Sequence, residues 1–281
     1  MQRAMLSCIV LFALFCGQAN ATSQELDLIN RPVNINGFTG LIMTTTPFTM
    51  PRGALETALS GTSETSSVPD FTLSEFLASL TIGITSNMEI ALRGSYLTLE
   101  SGLDPHKKRG SGDAELLYKW NFLPPGEKVY IPAAAVLLSV QGLTGDRDNG
   151  FQRFHNWGAK IGLSIGREIN FEEHIIGVYV DGQLAVEDLN RNEYRDRYGV
   201  FNAGMLLPIS KRQNLQLLLE YSTITGKFYE DIDGKDSTTI TYGIRLVSER
   251  FNLTVGDQFI HKDLAGKTNS GKMIGTISVK F

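Results

Sequence analysis

Lys272-Met273-Ile274-Gly275-Thr276-Ile277-Ser278-Val279-Lys280-Phe281, at the end of the chain, decides how the sequence is read. Met273, Gly275, Ile277, Val279 and Phe281 fall on one face of an extended chain. Lys272, Ile274, Thr276, Ser278 and Lys280 fall on the other. Side chains of a strand point alternately to opposite faces, so a period of two predicts a strand with one apolar face. Working backwards, Thr238, Ile240, Tyr242, Ile244 and Leu246 alternate with Thr239, Thr241, Gly243, Arg245 and Val247. Ala114, Leu116, Tyr118, Trp120 and Phe122 alternate with Asp113, Glu115, Leu117, Lys119 and Asn121. The pattern recurs in twelve blocks: 53–61, 73–85, 88–99, 112–122, 129–142, 154–166, 174–187, 197–208, 214–226, 237–248, 250–262 and 271–281. Clusters of Gly, Asp, Asn, Ser and Pro separate them, as turn chemistry requires.

The composition bounds the class of protein. Of 281 residues, 42% are hydrophobic and 20% charged, which is too apolar for a disordered chain. The formal charge of −4 leaves no basic footprint, so no nucleic acid is expected as a partner. Residues 1–21 read as a signal peptide: Arg3, an apolar core from Leu6 to Phe15, and the small-x-small site Ala19-Asn20-Ala21. Cleavage there removes Cys8 and Cys16, the chain's two cysteines, and with them disulfides, thiolate metal sites and a Cys nucleophile.

An apolar strand face meets a core in a soluble sandwich and lipid in a membrane barrel, and periodicity does not separate the two. The connections do. Those near 86–87, 123–128, 167–173, 209–213 and 248–250 are mostly short. Those near 62–72, 101–111, 143–153, 188–196, 227–236 and 263–270 are mostly longer and polar. Short periplasmic turns opposite longer extracellular loops mark an outer-membrane barrel. Aromatic residues gather at block ends, with Tyr118, Trp120, Phe122 and Trp157 joined by Tyr96, Tyr198, Tyr221 and Phe251 as candidates for the interfacial girdles. The terminal strand itself resembles that of bacterial outer-membrane β-barrel proteins, with Phe281, Val279, Ile277, Gly275 and Met273 matching the aromatic terminus and the alternation behind it. The resemblance implies that these residues form a signal read by the barrel assembly machinery. The expectation is an all-β chain forming an antiparallel up-and-down transmembrane β-barrel of about 12 strands. Residues 1–21 are the signal peptide, 22–52 a periplasmic lead-in or plug, and 53–281 the barrel. Two departures stand out. Asp257 falls between Val255 and Phe259 on the apolar face, and Gly256 beside it is a site for a bulge that would change parity. Pro132 removes a ladder donor and is expected near a strand start.

Gly37-Phe38-Thr39-Gly40-Leu41-Ile42-Met43-Thr44, followed by Pro47, Pro51 and Gly53, resembles the lead-in segment of YjbH-type outer-membrane proteins. Thr45-Thr46-Pro47 stands where that family tends to read Thr-Pro-Thr, and full-length members are much longer. The resemblance implies an association with exopolysaccharide production and export, and so with export components as partners.

Parity assigns Glu89, Arg93, Asp113, Glu115, Lys119, Lys160, Asp181, Glu187, Glu220 and Arg245 to the lumen. Charges held inside a barrel either line water or pair across a narrow space. A mixed-sign lining fits a narrow pore, open or plugged, or a structural barrel. Chemistry for an enzyme is sparse: His155 and Ser164 are nine residues apart, about 30 Å along a strand. His106, His174 and His261 fall at strand ends or in loops, and no serine neighbours His261. Asp231-x-Asp233-Gly234-x-Asp236 lacks the acids an EF-hand needs at Tyr229 and Ile240. No catalytic residue, metal or cofactor is therefore expected. The expected function is passage or export support across the outer membrane, for polysaccharide or small solutes. A lipid-modifying enzyme and a surface barrel are the alternatives, and outer-membrane lipid is the surrounding partner.

Overall fold

The computed structural model describes residues 31–281 except 68–69, 103, 126–130, 143, 147, 149–150, 152–156, 172–173, 187–196, 211–213, 227–236 and 263–267. Residues 1–21, expected to be a signal peptide, residues 22–30 of the expected lead-in, His155, Glu187 and the acidic stretch 231–236 lie outside the described residues.

Among the described residues thirteen strands make one antiparallel sheet: β1 (Leu55–Ser67), β2 (Asp70–Thr85), β3 (Met88–Ser101), β4 (Asp104–Ser111), β5 (Glu115–Leu123), β6 (Ala133–Gln141), β7 (Gly158–Phe171), β8 (His174–Val186), β9 (Arg197–Pro208), β10 (Leu215–Gly226), β11 (Ser237–Val247), β12 (Phe251–Lys262) and β13 (Thr268–Lys280). Each pairs with the next along the chain up to β13, which pairs with β1 and closes the sheet. The exception is at β4 and β5. The far half of β3 pairs with β4, Tyr96 to Ser111 through Leu99 to Lys108. The near half pairs with β5, Met88 to Trp120 through Arg93 to Glu115. The two short strands therefore share one place in the wall, and the barrel is twelve-stranded.

The outer face is apolar all the way round. Leu59, Leu92, Leu116, Ile161, Leu163, Ile244 and Met273 are exposed, Ile161 by 57%, while inward Lys119, Asp181 and Thr241 are 0% exposed. An encircling apolar belt far exceeds what a soluble surface tolerates. It suits lipid, and the pairing of β13 with β1 closes the wall, so that among the described strands only β4 has a side without a partner strand. Phe281, Val279, Ile277 and Met273 lie on this face with half-buried Gly275. Pro132 directly precedes β6.

Several expectations are corrected. The expected loop 62–72 is a ladder, with β1 and β2 paired from Ser63 with Ser74 to Ser67 with Asp70. The expected loop 101–111 contains β4. Both stretches are Ser, Gly or charge-rich on both faces, so no apolar alternation signals them. Tyr198 points inward, buried, and is not a girdle residue. The β12 ladder to β11 and β13 runs without a register shift, so Gly256 makes no bulge. Asp257 stays on the outer face, where the Tyr242 hydroxyl across the ladder donates to its carboxylate at 2.8 Å.

Candidate functional site

Residues 31–50 lie inside the barrel, and their fold begins locally. The Asn34 carbonyl oxygen of the side chain accepts the N–H groups of Asn36 (3.0 Å) and Phe38 (3.2 Å), turning the chain. Gly37 completes the turn at φ +86°, a conformation that L side chains rarely adopt. Gly40 sits where a Cβ would meet the Asn34 amide nitrogen at 2.8 Å. Bridges Val33 to Thr39 and Gly40 to Thr45 tie the loop together. Its apolar side chains, Val33, Ile35, Phe38, Leu41, Ile42, Phe48 and Met50, are all buried.

The barrel is hollowed to receive them. A Cβ on Gly204 would meet Leu41 Cδ2 at 2.7 Å, and one on Gly243 or Gly256 would meet Ile42 Cδ1 at 2.6 Å. Gly166 leaves room for the Pro47 ring, with 3.1 Å to Cδ. Phe48 meets the edge of Tyr179, centroids 6.3 Å apart, and the Arg31 guanidinium stacks on Phe48 at 3.9 Å while pairing with Glu168. The Tyr179 hydroxyl donates to the same carboxylate at 2.9 Å.

Charges from every side end on the segment's backbone. Glu220 of β10 accepts three consecutive N–H groups, from Ile42 (2.8 Å), Met43 (2.9 Å) and Thr44 (2.6 Å). Asp181 of β8 accepts the Thr45 N–H at 2.8 Å and is held by Gln183 and Asn202 at 3.1 and 3.0 Å. Arg245 of β11 donates to the carbonyls of Gly40 (2.9 Å) and Leu41 (2.7 Å), its Nε bonding Thr254 at 2.9 Å. On the opposite wall Glu89 accepts the N–H groups of Thr39 (3.0 Å) and Met50 (2.9 Å). Lys119 pairs with Glu89 at 2.8 Å and donates to the Thr46 carbonyl at 3.1 Å. Glu56, Thr81, Asn121 and Ser164 add bonds to Val33 N–H, Gly37 O, Pro47 O and Thr45 O. Hydrogen bonds to ionised groups are worth about twice neutral ones, and a buried charge stripped of its partner is costly. This lining is a socket for a peptide backbone.

Of the charges expected in the lumen, Glu89, Lys119, Asp181, Glu220 and Arg245 thus converge on the segment. Arg93 reaches it too, donating to Ile35 O at 3.2 Å, and also pairs with Glu115, which Lys160 holds at 2.9 Å. Asp113 is corrected: it lies in the break between β4 and β5 and accepts the N–H groups of Thr144 (3.1 Å) and Gly145 (2.8 Å), fixing the following loop. The sequence reading passed over Glu56, Asn121 and Ser164 as site residues. Parity marks them inward, but nothing local marks a partner more than a hundred residues away in the case of Ser164. His261 lies at the loop end with its Nδ1 2.8 Å from Asn269.

No family model matches the chain, and no curated protein matches its sequence. Solved structures match its shape. An outer-membrane channel from Pseudomonas putida F1 superposes with a TM-score of 0.61 at 11% identity, over 84% of this chain and 98% of that one. The chain has the fold of an outer-membrane β-barrel. LpxR from Salmonella typhimurium superposes at 0.53 with 10% identity, over 81% of this chain and 99% of its own. The NanC porin gives 0.50 at 7% identity, over 78% and 98%. At such identities the likeness is one of fold alone.

Proposed function

We propose that the protein is an outer-membrane channel for polar solutes, held closed by residues 31–50. The observation that carries this reading is the convergence of Glu89, Lys119, Asp181, Glu220 and Arg245, from five different strands, on the backbone of one segment. An open pore would keep such charges in water. A purely structural barrel could fill its lumen with apolar side chains and needs no removable insert. Passage therefore requires the segment to leave its socket, exposing three carboxylates and two cations to the lumen. The outer-membrane location draws support from the apolar belt and the aromatic-ended final strand, with the signal peptide and assembly machinery as its route. The resemblance of residues 37–53 to YjbH-type proteins favours a polysaccharide as the exported solute and export components as partners. The reading is non-catalytic.

Liposome swelling tests it, with neutral sugars of graded size. Vesicles carrying the wild-type barrel should swell little. Removing residues 31–50, or combining Glu220→Gln with Arg245→Gln, should admit sugars. Fast swelling with the wild type, or none with either variant in its folded, heat-modifiable form, would contradict the proposal.

A further inference from the structure

The β3–β4 hairpin carries Lys107, Lys108 and Arg109, all exposed. Directly opposed residues of an antiparallel pair share a face. Arg109 opposes Thr98 and Ser111 opposes Tyr96, whose ring is exposed on the lipid side. Arg109 is therefore on the outer face. Lys107 is on that face too, where it pairs with exposed Glu100. Lys108 opposes Leu99 and is on the lumen side.

Their height is as informative as their facing. Tyr96 opposes Phe76, and both rings are exposed, forming the aromatic rim of this part of the belt. Arg109 lies two residues beyond that rim and Lys107 four, which is about 7 and 13 Å along a strand. At a tilt of about 45° these become roughly 5 and 9 Å of depth, against a headgroup layer of roughly 5–8 Å per leaflet. Arg109 thus stands at headgroup level, while Lys107 and its partner Glu100 stand about 1 Å beyond the outer bound, from where a flexible lysine stem lying along the surface brings its ammonium back to that level.

We propose that Lys107 and Arg109 form a docking surface for phosphate-bearing lipid headgroups in the leaflet at the loop end. The excess positive charge on the lipid side, at that depth, selects an anionic headgroup over a zwitterionic one. The surface is independent of the segment in the lumen and survives if the channel reading fails.

Native mass spectrometry of the full chain in detergent tests the proposal, with phosphatidylglycerol or phosphatidylcholine added. The wild type should retain phosphatidylglycerol in about tenfold preference. Lys107→Gln with Arg109→Gln should bring the two lipids near parity. Lys108→Gln, on the same strand with the same charge change, should leave the preference intact. Heat-modifiability of each variant checks that it is folded. A preference that survives the double variant, or falls equally with Lys108→Gln, overturns the surface. Displacement of the lipid by an equal concentration of inorganic phosphate overturns the lipid as its occupant.

Discussion

Glu220→Gln is expected to unseat the N-terminal segment while leaving the barrel wall intact. The carboxylate is 2% exposed and accepts the N–H groups of Ile42, Met43 and Thr44 at 2.6–2.9 Å. The amide keeps the shape but loses the charge, and it turns an NH₂ donor toward one or more of three N–H donors. It also removes a negative charge that acts on Arg245, leaving that cation with the backbone carbonyls of Gly40 and Leu41, Thr254 and the field of Glu56. Breaking a buried charge arrangement in this way costs about 3–5 kcal/mol. The cost falls on the docked state, because the β10 ladders to β9 and β11 do not depend on the side chain. At about 1.4 kcal/mol per factor of ten, the undocked population rises roughly 10²- to 10⁴-fold. Single-channel recording in planar bilayers reads this as opening frequency: rare or absent openings in the wild type, frequent ones in the variant. A folded variant as silent as the wild type would refute the reasoning, because Glu220 would then contribute nothing to closure.

Gly204→Val should act from the other side of the same contact. Its Cβ would lie 2.7 Å from Leu41 Cδ2, an overpacking cost of about 1–3 kcal/mol, so openings should increase. In a barrel lacking residues 31–50 the same substitution should leave conductance unchanged. Tyr242→Phe should lower stability by about 1–2 kcal/mol by stripping Asp257 of its hydroxyl partner on the lipid face. Urea unfolding in bilayers measures it, and adding Asp257→Leu should restore the loss. Ile161→Lys should cost about 2–4 kcal/mol near mid-bilayer in that assay. Lys160→Gln should cost only about 1 kcal/mol, since Glu115 keeps Arg93.

The sequence carried the wall well and the socket poorly, for one physical reason. Alternation reports which face a side chain takes, and it was correct for Ile161 against Lys160 and for Ile244 against Arg245 because one face meets lipid. It is silent where neither face meets the hydrocarbon core, so the β1–β2 extension and β4 carry no strand signal. It is equally silent on what an inward residue touches. Glu220 and Ile42 are 178 residues apart, and only closure of the barrel brings them together. Gly256 shows the limit sharply. Beside Asp257 it read as a bulge, yet its missing side chain is the hollow that accepts Ile42. The inward glycines 166, 204, 243 and 256 were the available signal, since a wall position gains nothing from glycine unless another group approaches closely.

Whether residues 31–50 are docked is measured most directly by amide hydrogen exchange on the folded protein. The account predicts that the N–H groups of Thr39, Ile42, Met43, Thr44, Thr45 and Met50, bonded to Glu89, Glu220 and Asp181, exchange nearly as slowly as those of the neighbouring strands. Exchange of these amides at the rate of exposed loops would contradict it.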